Sequence, residues 1–188
     1  QLEQKKMKVQ KLTSNRLYIN EVDFYRVSPD IIYEFNLKKG IELDEKTEKK
    51  LMIELLLFRS YGILLRKDYT EKEIKQKLLM EFPKDSPFDD TIYLLKEKGY
   101  LDDYSYVKSY ISFKKISKKK VYYDLMMKGI KKTLIDEVYE EFEIDEKIDI
   151  RKFLEKLDKK EEKKKIEFLL RKGYNLRDIL EVLKENKN

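Results

Sequence analysis

Two pairs of neighbouring aspartates are the residues in this sequence best suited to chemistry. Asp102-Asp103 begins three positions after Gly99, and Asp89-Asp90 begins two positions after Pro87. Paired carboxylates can bind a divalent cation or exchange protons in acid–base catalysis. Neither pair has further ligands nearby in sequence, and both stand where a helix is expected to begin. Aspartate there caps free N–H groups and complements the helix dipole, so we interpret both pairs as helix starts and reject a metal site.

The composition excludes most other catalytic machinery. The 188 residues include no Cys and no His, which excludes thiolate nucleophiles, zinc fingers and Ser-His-Asp relays. No Gly-x-x-x-x-Gly-Lys loop occurs to hold the phosphates of a nucleotide. We therefore expect no cofactor and no metal, and any catalysis would have to come from carboxylates, Lys or Tyr.

Lysine is concentrated in one stretch of the chain. Residues 104–132 contain nine Lys against one Asp, a net charge of +8, and residues 133–149 contain eight acids against one Lys, a net charge of −7. Such blocks steer association, the positive one towards phosphate backbones and the negative one towards a basic protein surface. A solvated helix face is an equally good explanation of a lysine run.

Tyrosines interleave with these lysines and suggest stacking on nucleic-acid bases. Tyr106 and Tyr110 fall on the apolar stripe of their helix and are expected in the core. Tyr104 and Tyr123 fall off their stripes and are expected to be exposed. The candidate partner-binding or DNA-binding residues are therefore Lys108, Lys114, Lys115, Lys118, Lys119, Lys120, Lys131, Lys132, Tyr104, Tyr123, Arg171 and Lys172.

Glycine and proline mark the ends of the elements that position these residues. Gly40, Gly99, Gly129 and Gly173 each follow a lysine and precede an apolar residue, which is typical of a helix C-terminus. Ser28-Pro29 and Ser86-Pro87 predict a capping serine before proline in the first turn. Thr70 and Glu73 have the spacing of a capping box.

Between these marks the apolar residues recur at helical spacing and predict nine short amphipathic helices. A shift of 44 residues aligns Leu125 with Leu169 and Gly129 with Gly173. We therefore expect three-helix repeats at residues 47–100, 101–143 and 144–188, stacked in an elongated curved array.

Residues 1–46 predict a small antiparallel β meander followed by a short helix. Segments 7–12, 16–20 and 24–27 alternate between apolar and polar residues, and a helix over 29–35 is expected to end at Asn36. The fold class predicted for the whole chain is mainly α, with this small N-terminal antiparallel meander.

Hydropathy gives no sign of a membrane segment. The longest uninterrupted apolar run is Leu55-Leu56-Leu57-Phe58, far below the ~20 residues of a membrane-spanning helix, and no charged-then-apolar leader opens the sequence. We expect a cytoplasmic monomer with no membrane partner.

Four short segments with distinct patterns follow one another along the chain. Residues 66–78 begin with two basic residues, continue with Thr-x-x-Glu-Ile and end with Lys-Leu. Residues 99–103 read Gly-Tyr-Leu-Asp-Asp, residues 121–130 read Val-x-x-x-Leu-x-x-Lys-Gly-Ile, and residues 168–174 read Phe-Leu-Leu-Arg-Lys-Gly-Tyr. In this order and spacing they resemble the family of RecX regulatory proteins, which modulate the RecA recombinase. Ser117 stands where that family usually has Gly, and Val107 where a small Ala is common.

The resemblance implies a non-enzymatic protein that binds RecA and lies in the groove of its nucleoprotein filament. It also implies repression of ATP hydrolysis, filament extension and strand exchange, and it transfers no catalytic residue. The alternative is a general DNA-binding helical-repeat protein that uses the same lysines on single- or double-stranded DNA. A helical scaffold for another partner is a third possibility.

Overall fold

The computed structural model describes residues 7–19, 23–142 and 144–185. This part of the chain forms ten α-helices and four short β-strands, and the chain divides into two compact units, Gln1–Asp102 and Asp103–Asn188. The predicted class, mainly α with a small antiparallel sheet, is confirmed. None of the described helices combines the length and the apolar character needed to cross a bilayer.

The first unit opens on an antiparallel sheet. Its strands are β1 (Met7–Leu12), β2 (Arg16–Ile19), β3 (Asp23–Arg26) and β4 (Glu42–Leu43), in the spatial order β3-β2-β1-β4. The first three match the predicted meander, although Asn20, the expected end of the second strand, lies outside the described residues. β4 has no counterpart among the predictions because two residues are too few to show an alternation.

Alternation along the strands directs one face of the sheet to the core. Leu17 and Tyr25 lie opposite each other on β2 and β3, and both are buried. The Tyr25 ring stacks on Phe82, with ring centroids 5.0 Å apart. The neighbouring pair, Arg16 opposite Arg26, is exposed on the other face. The sheet therefore has a buried apolar side and an open side.

Helix α1 (Pro29–Glu34) begins and ends as the sequence predicts. The Ser28 hydroxyl accepts a hydrogen bond from the N–H of Ile31 at 3.3 Å, and Pro29 occupies the first turn. The helix is followed by Asn36, which adopts a φ of +45°. Both ends of this helix can be predicted from the sequence because each depends on the conformation of one residue, the capping Ser28 and the left-handed Asn36.

Gly40 is not the helix end that the sequence predicts. It lies in the turn between α1 and β4 with a φ of +88°, and its N–H donates to the carbonyl of Val9 at 2.7 Å. That bond fastens the turn to β1. The prediction is wrong because a left-handed glycine after lysine serves a tight turn as well as it ends a helix.

Three helices complete the first unit: α2 (Glu45–Leu64), α3 (Glu71–Leu79) and α4 (Phe88–Glu97). The capping box of α3 is confirmed, since the Thr70 hydroxyl accepts from the N–H of Glu73 and the Glu73 carboxylate accepts from the N–H of Thr70. Together with the sheet, these helices enclose one hydrophobic cluster.

Ser86 does not cap α4, contrary to the prediction. Its carbonyl accepts from the N–H of Phe88 at 2.7 Å, so the chain turns before the Ser86 hydroxyl can reach the first turn of the helix. That hydroxyl is buried and has no hydrogen-bond partner among the described residues. The Thr91 hydroxyl instead donates to the carbonyl of Pro87 at 2.9 Å.

The second unit consists of six helices: α5 (Asp103–Phe113), α6 (Lys118–Met127), α7 (Lys132–Tyr139), α8 (Glu146–Lys156), α9 (Glu162–Arg171) and α10 (Leu176–Glu185). Helices α5–α7, here the second helix group, and α8–α10, the third helix group, each surround their own hydrophobic cluster. Gly129 and Gly173 follow α6 and α9 with φ of +90° and +88°, and Gly99 follows α4 with φ of +72°. These three predicted helix ends are confirmed.

Candidate partner-binding surface

The predicted lysines converge on the connection between α5 and α6. Residues 114–120, here called the basic loop, contain five of them. Ser117 lies in the middle of this segment, is buried, and caps α6 by accepting a hydrogen bond from the N–H of Lys120 at 3.2 Å. Glycine has no hydroxyl to make this bond, so the serine fixes the direction in which α6 leaves the loop.

The basic loop is fastened to the third helix group by a reciprocal contact, here called the clip. The N–H of Ser117 donates to the carbonyl of Lys172 at 3.1 Å, and the Lys172 ammonium donates to the carbonyl of Lys115 at 3.2 Å. The same ammonium lies 4.6 Å from the ring centroid of Phe153 and 5.3 Å from that of Phe168. Lys172, a sequence candidate for partner binding, is therefore engaged within the chain.

Lys118 is also held by its own chain. Its backbone N–H donates to the carboxylate of Glu146, and its ammonium lies 4.7 Å from the ring centroid of Tyr139. Burial and two neighbouring groups raise the pKa of Tyr139 above its ordinary value, and the face of its ring attracts the Lys118 ammonium. The loop is thus anchored at Lys115, Ser117 and Lys118.

Acidic side chains partly neutralise the lysine stretch, and these ion pairs were not predicted from the sequence. The ion pairs are Lys108 with Glu141 at 2.6 Å, Lys120 with Asp124 at 3.7 Å, and Lys132 with Asp136 at 2.7 Å. Two of these acids come from the negative block that follows the lysines in sequence. The adjacent blocks of opposite charge are visible in the sequence, but the packing of the helices decides which lysine pairs with which acid.

Five candidates remain exposed and form no ion pair with the residues that the structure describes: Lys114, Lys115, Lys119, Lys131 and Arg171. Three of them belong to the basic loop. A partner can reach these three charges without breaking an ion pair among the described residues, although the Lys114 ammonium lies 5.9 Å from the ring centroid of Tyr110.

A groove of about 440 Å³ lies beside the basic loop. Its lining is partly apolar: Ile111, Ile116, Val121, Tyr139, Phe142, Ile144 and Ile148. The charged side chains that line it are Lys114, Lys115, Lys118, Lys152, Asp145 and Asp149. Four lysines against two aspartates give the groove an excess of positive charge over an apolar floor.

The two tyrosine candidates differ in exposure. Tyr123 is 64% exposed, as the sequence predicts. Tyr104 is half-buried against the hydrophobic cluster of the second helix group, so the expectation that it is exposed is wrong. Its helix begins only one residue earlier, at Asp103, so a helical stripe read through Tyr106 and Tyr110 does not fix the contacts of this first turn.

The aspartate pairs lie at helix starts, as the sequence predicts. Asp89 and Asp90 occupy the first turn of α4, where they form ion pairs with Lys75 at 2.6 Å and with Lys49 at 2.7 Å. Asp103 is the first residue of α5. Within the described ranges there is no cluster of three or more side chains suited to holding a metal ion.

Asp136 makes the stability of the second unit depend on pH. Hydrogen bonds from Lys132 and Tyr122 hold the pKa of Asp136 below its ordinary 3.8. Because the folded pKa is lowered, the stabilisation is present above the unfolded value and is lost as pH falls through the folded value. We expect Asp136→Asn to lower the free energy of unfolding at pH 7 and to have a smaller effect at pH 3, where part of the stabilisation is already lost.

Urea denaturation at the two pH values measures this difference. Asp158→Asn is the matched control, since Asp158 is exposed and forms no ion pair with the described residues. An effect of Asp136→Asn that is the same at both pH values would contradict the assignment.

Comparison with known proteins identifies the family. No protein-family model matches the chain. The regulatory protein RecX of Clostridium tetani is 32% identical over 197 residues, covering 95% of this chain and 91% of that protein, and the RecX of Clostridioides difficile is 28% identical over 197 residues, covering 95% and 92%.

Two solved structures share the fold. A crystal structure of a regulatory protein RecX covers 95% of this chain and 97% of its own, with 23% identity and a TM-score of 0.53. The structure of RecX from Lactobacillus salivarius covers 71% and 96%, with 18% identity and a TM-score of 0.54. Since the similarity in sequence to the Clostridium tetani protein extends along nearly the whole of both chains, this chain belongs to the RecX family of regulatory proteins.

Proposed function

We propose that this protein is a non-enzymatic regulator that binds the RecA recombinase on its single-stranded DNA filament. It acts there as a monomer in the cytoplasm, and it lowers ATP hydrolysis, filament extension and strand exchange. The observation that carries the proposal is membership of the RecX family over nearly the full length of the chain. The helix groups of residues 47–100, 101–143 and 144–188 act in it as three repeats.

The start of α6 supports an anionic partner. Lys118, Lys119 and Lys120 fill its first turn, which contains no acidic residue. Cations there lie at the positive end of the helix dipole, which costs a few tenths of a kcal/mol each. Local arrangements that cost stability concentrate at functional sites. The Glu146 carboxylate, which accepts from the N–H of Lys118, offsets part of this cost, and an acidic surface or a phosphate backbone bound to the basic loop would offset more of it.

The groove supports a protein partner over a nucleic acid alone. Apolar side chains such as Ile144 and Ile148 are exposed by 42% and 46%, beside the lysines that line the same groove. A protein segment with both apolar and acidic side chains matches this lining, because it can bury the isoleucines while it neutralises the excess charge. A phosphate backbone would leave the apolar floor in water.

Titration of ATP turnover tests the proposal. The protein is added at substoichiometric and then equimolar ratios to RecA on single-stranded DNA with ATP. We expect turnover to fall with each addition, and filament length in electron micrographs to fall with it. If neither turnover nor filament length changes at any ratio, the proposal fails.

The second candidate function is binding to naked DNA through the same surface. Tyr123, exposed and one helical turn after Lys119, favours it because an aromatic ring beside a cation can stack on a base. This candidate requires tight binding without RecA and a steep loss of affinity with salt. Weak binding to DNA alone, together with inhibition of RecA, would exclude it.

A further inference from the structure

The open side of the N-terminal sheet is unlike an ordinary solvent-facing sheet surface. Tyr18 on β2 lies opposite Phe24 on β3, with ring centroids 5.7 Å apart. Phe24 is 48% exposed, and Tyr18 is half-buried. The solvated face of an antiparallel sheet normally carries polar side chains, whereas this one presents two aromatic rings side by side.

Each ring is accompanied by a cation. The ammonium of Lys11 lies 5.3 Å from the centroid of Tyr18, and the guanidinium of Arg16 lies 4.7 Å from that of Phe24. Lys11 is the cross-strand neighbour of Tyr18 on β1, so the row Lys11, Tyr18, Phe24 crosses three strands. At ~4.8 Å between strands, this row spans about 10 Å.

A second arginine adds positive charge that no described acid balances. Arg16 lies directly opposite Arg26, and like charges in that position destabilise a sheet. Neither arginine, nor Lys11, forms an ion pair with a carboxylate among the residues that the structure describes. The open face therefore holds three cations whose repulsion an anion would relieve.

We propose that this face binds single-stranded nucleic acid, with bases stacked beside Tyr18 and Phe24 and phosphates bound by Arg16, Arg26 and Lys11. Aromatic rings next to cations match the alternation of base and phosphate along a single strand. A duplex hides the faces of its bases inside the stack, so a sheet that offers aromatic rings selects the single strand. This site uses no residue of the basic loop and does not rest on the proposed regulation of RecA.

Fluorescence anisotropy with a labelled 20-nucleotide oligothymidylate and a 20-base-pair duplex tests the site without recombinase. The double substitution Tyr18→Leu and Phe24→Leu keeps apolar volume but removes both rings. We expect it to weaken binding to the single strand by about tenfold or more and to leave duplex binding unchanged. Tyr93→Leu, which removes a 61% exposed ring from α4, is the matched control and is expected to leave single-strand binding unchanged.

A second variant tests the charges independently of the rings. Arg16→Gln with Arg26→Gln removes both the opposed like charges and the contact of Arg16 with the Phe24 ring, so it is expected to fold with nearly unchanged stability. It should reduce the slope of log affinity against log salt by roughly 1.4, about 0.7 for each lost phosphate contact. The double leucine variant should keep the original slope.

Two results would overturn the proposal. One is unchanged single-strand binding in the double leucine variant, and if that variant also loses RecA inhibition, the face binds a protein instead. The other is an equal loss for single strand and duplex, which would indicate a non-specific electrostatic effect.

Discussion

Reversal of Lys114, Lys115 and Lys119 to Glu is expected to raise at least tenfold the protein concentration that half-inhibits RecA ATP hydrolysis. These side chains are exposed and form no ion pair with the described residues, so their replacement leaves the second unit folded. Charges across an interface set the rate of association and exclude wrong partners, and their reversal turns attraction into repulsion. Lys118 and Lys172 stay unchanged because their contacts hold the loop itself.

A matched variant separates a specific surface from a general charge effect. Lys159, Lys160 and Lys163 are exposed lysines of the third helix group, and their reversal to Glu changes the net charge by the same amount. We expect this variant to inhibit RecA nearly as well as the original chain. If both triple variants lose inhibition equally, the basic loop is not the binding surface.

Gly173→Ala is expected to destabilise the second unit by roughly 2–5 kcal/mol. Gly173 has a φ of +88°, where an L-residue costs roughly 1–2 kcal/mol. A Cβ there would also lie 2.6 Å from the Ser117 hydroxyl and 2.9 Å from the Cβ of Lys120, so the clip must shift, at a further cost of roughly 1–3 kcal/mol. Urea denaturation followed by circular dichroism measures the loss.

Gly99→Ala is the control for the cost of placing an L-residue in the left-handed backbone conformation. Gly99 has a φ of +72°, and a Cβ there would meet nothing within 4 Å. We expect this substitution to cost only the strain, about 1–2 kcal/mol. Equal losses from the two substitutions would show that the clip tolerates a methyl group. A larger loss at Gly173, with weaker inhibition of RecA, would show that the clip positions the basic loop.

Helix ends were predictable where one residue decides the conformation. Gly99, Gly129 and Gly173 were found at positive φ after helices because left-handed backbone strongly favours glycine. Gly40 has the same Lys-Gly-apolar pattern as these helix ends, and Ser86 has the same Ser-Pro pattern as the capping Ser28. Gly40 instead lies in a turn bonded to β1, and the Ser86 hydroxyl does not cap α4 because the chain turns just before the helix. Their outcome depends on tertiary contacts, which a pattern of a few residues does not contain.

The candidate surface was predictable in composition but not in arrangement. The run of lysines at 114–120 is visible in the sequence, and so is the block of acids that follows. The sequence does not show that Glu141 reaches Lys108, or that Lys172 donates to a carbonyl 57 residues away. Both contacts depend on how the helices pack. Because of them, Lys108 and Lys172, which were predicted to bind a partner, are held by groups of the same chain.

The clip has a consequence for the order in which the chain acquires its parts during synthesis. Each described hydrophobic cluster comes from one continuous stretch, residues 7–101, 107–139 and 150–183, and closure of short loops costs little entropy. Each cluster can therefore condense soon after its own stretch leaves the ribosome. The clip joins Lys115 to Lys172 across 57 residues and must wait for α9. A nascent chain thus gains the clip only after residue 172 has left the ribosome, whereas the cap of Ser117 on Lys120 can form as soon as α6 does.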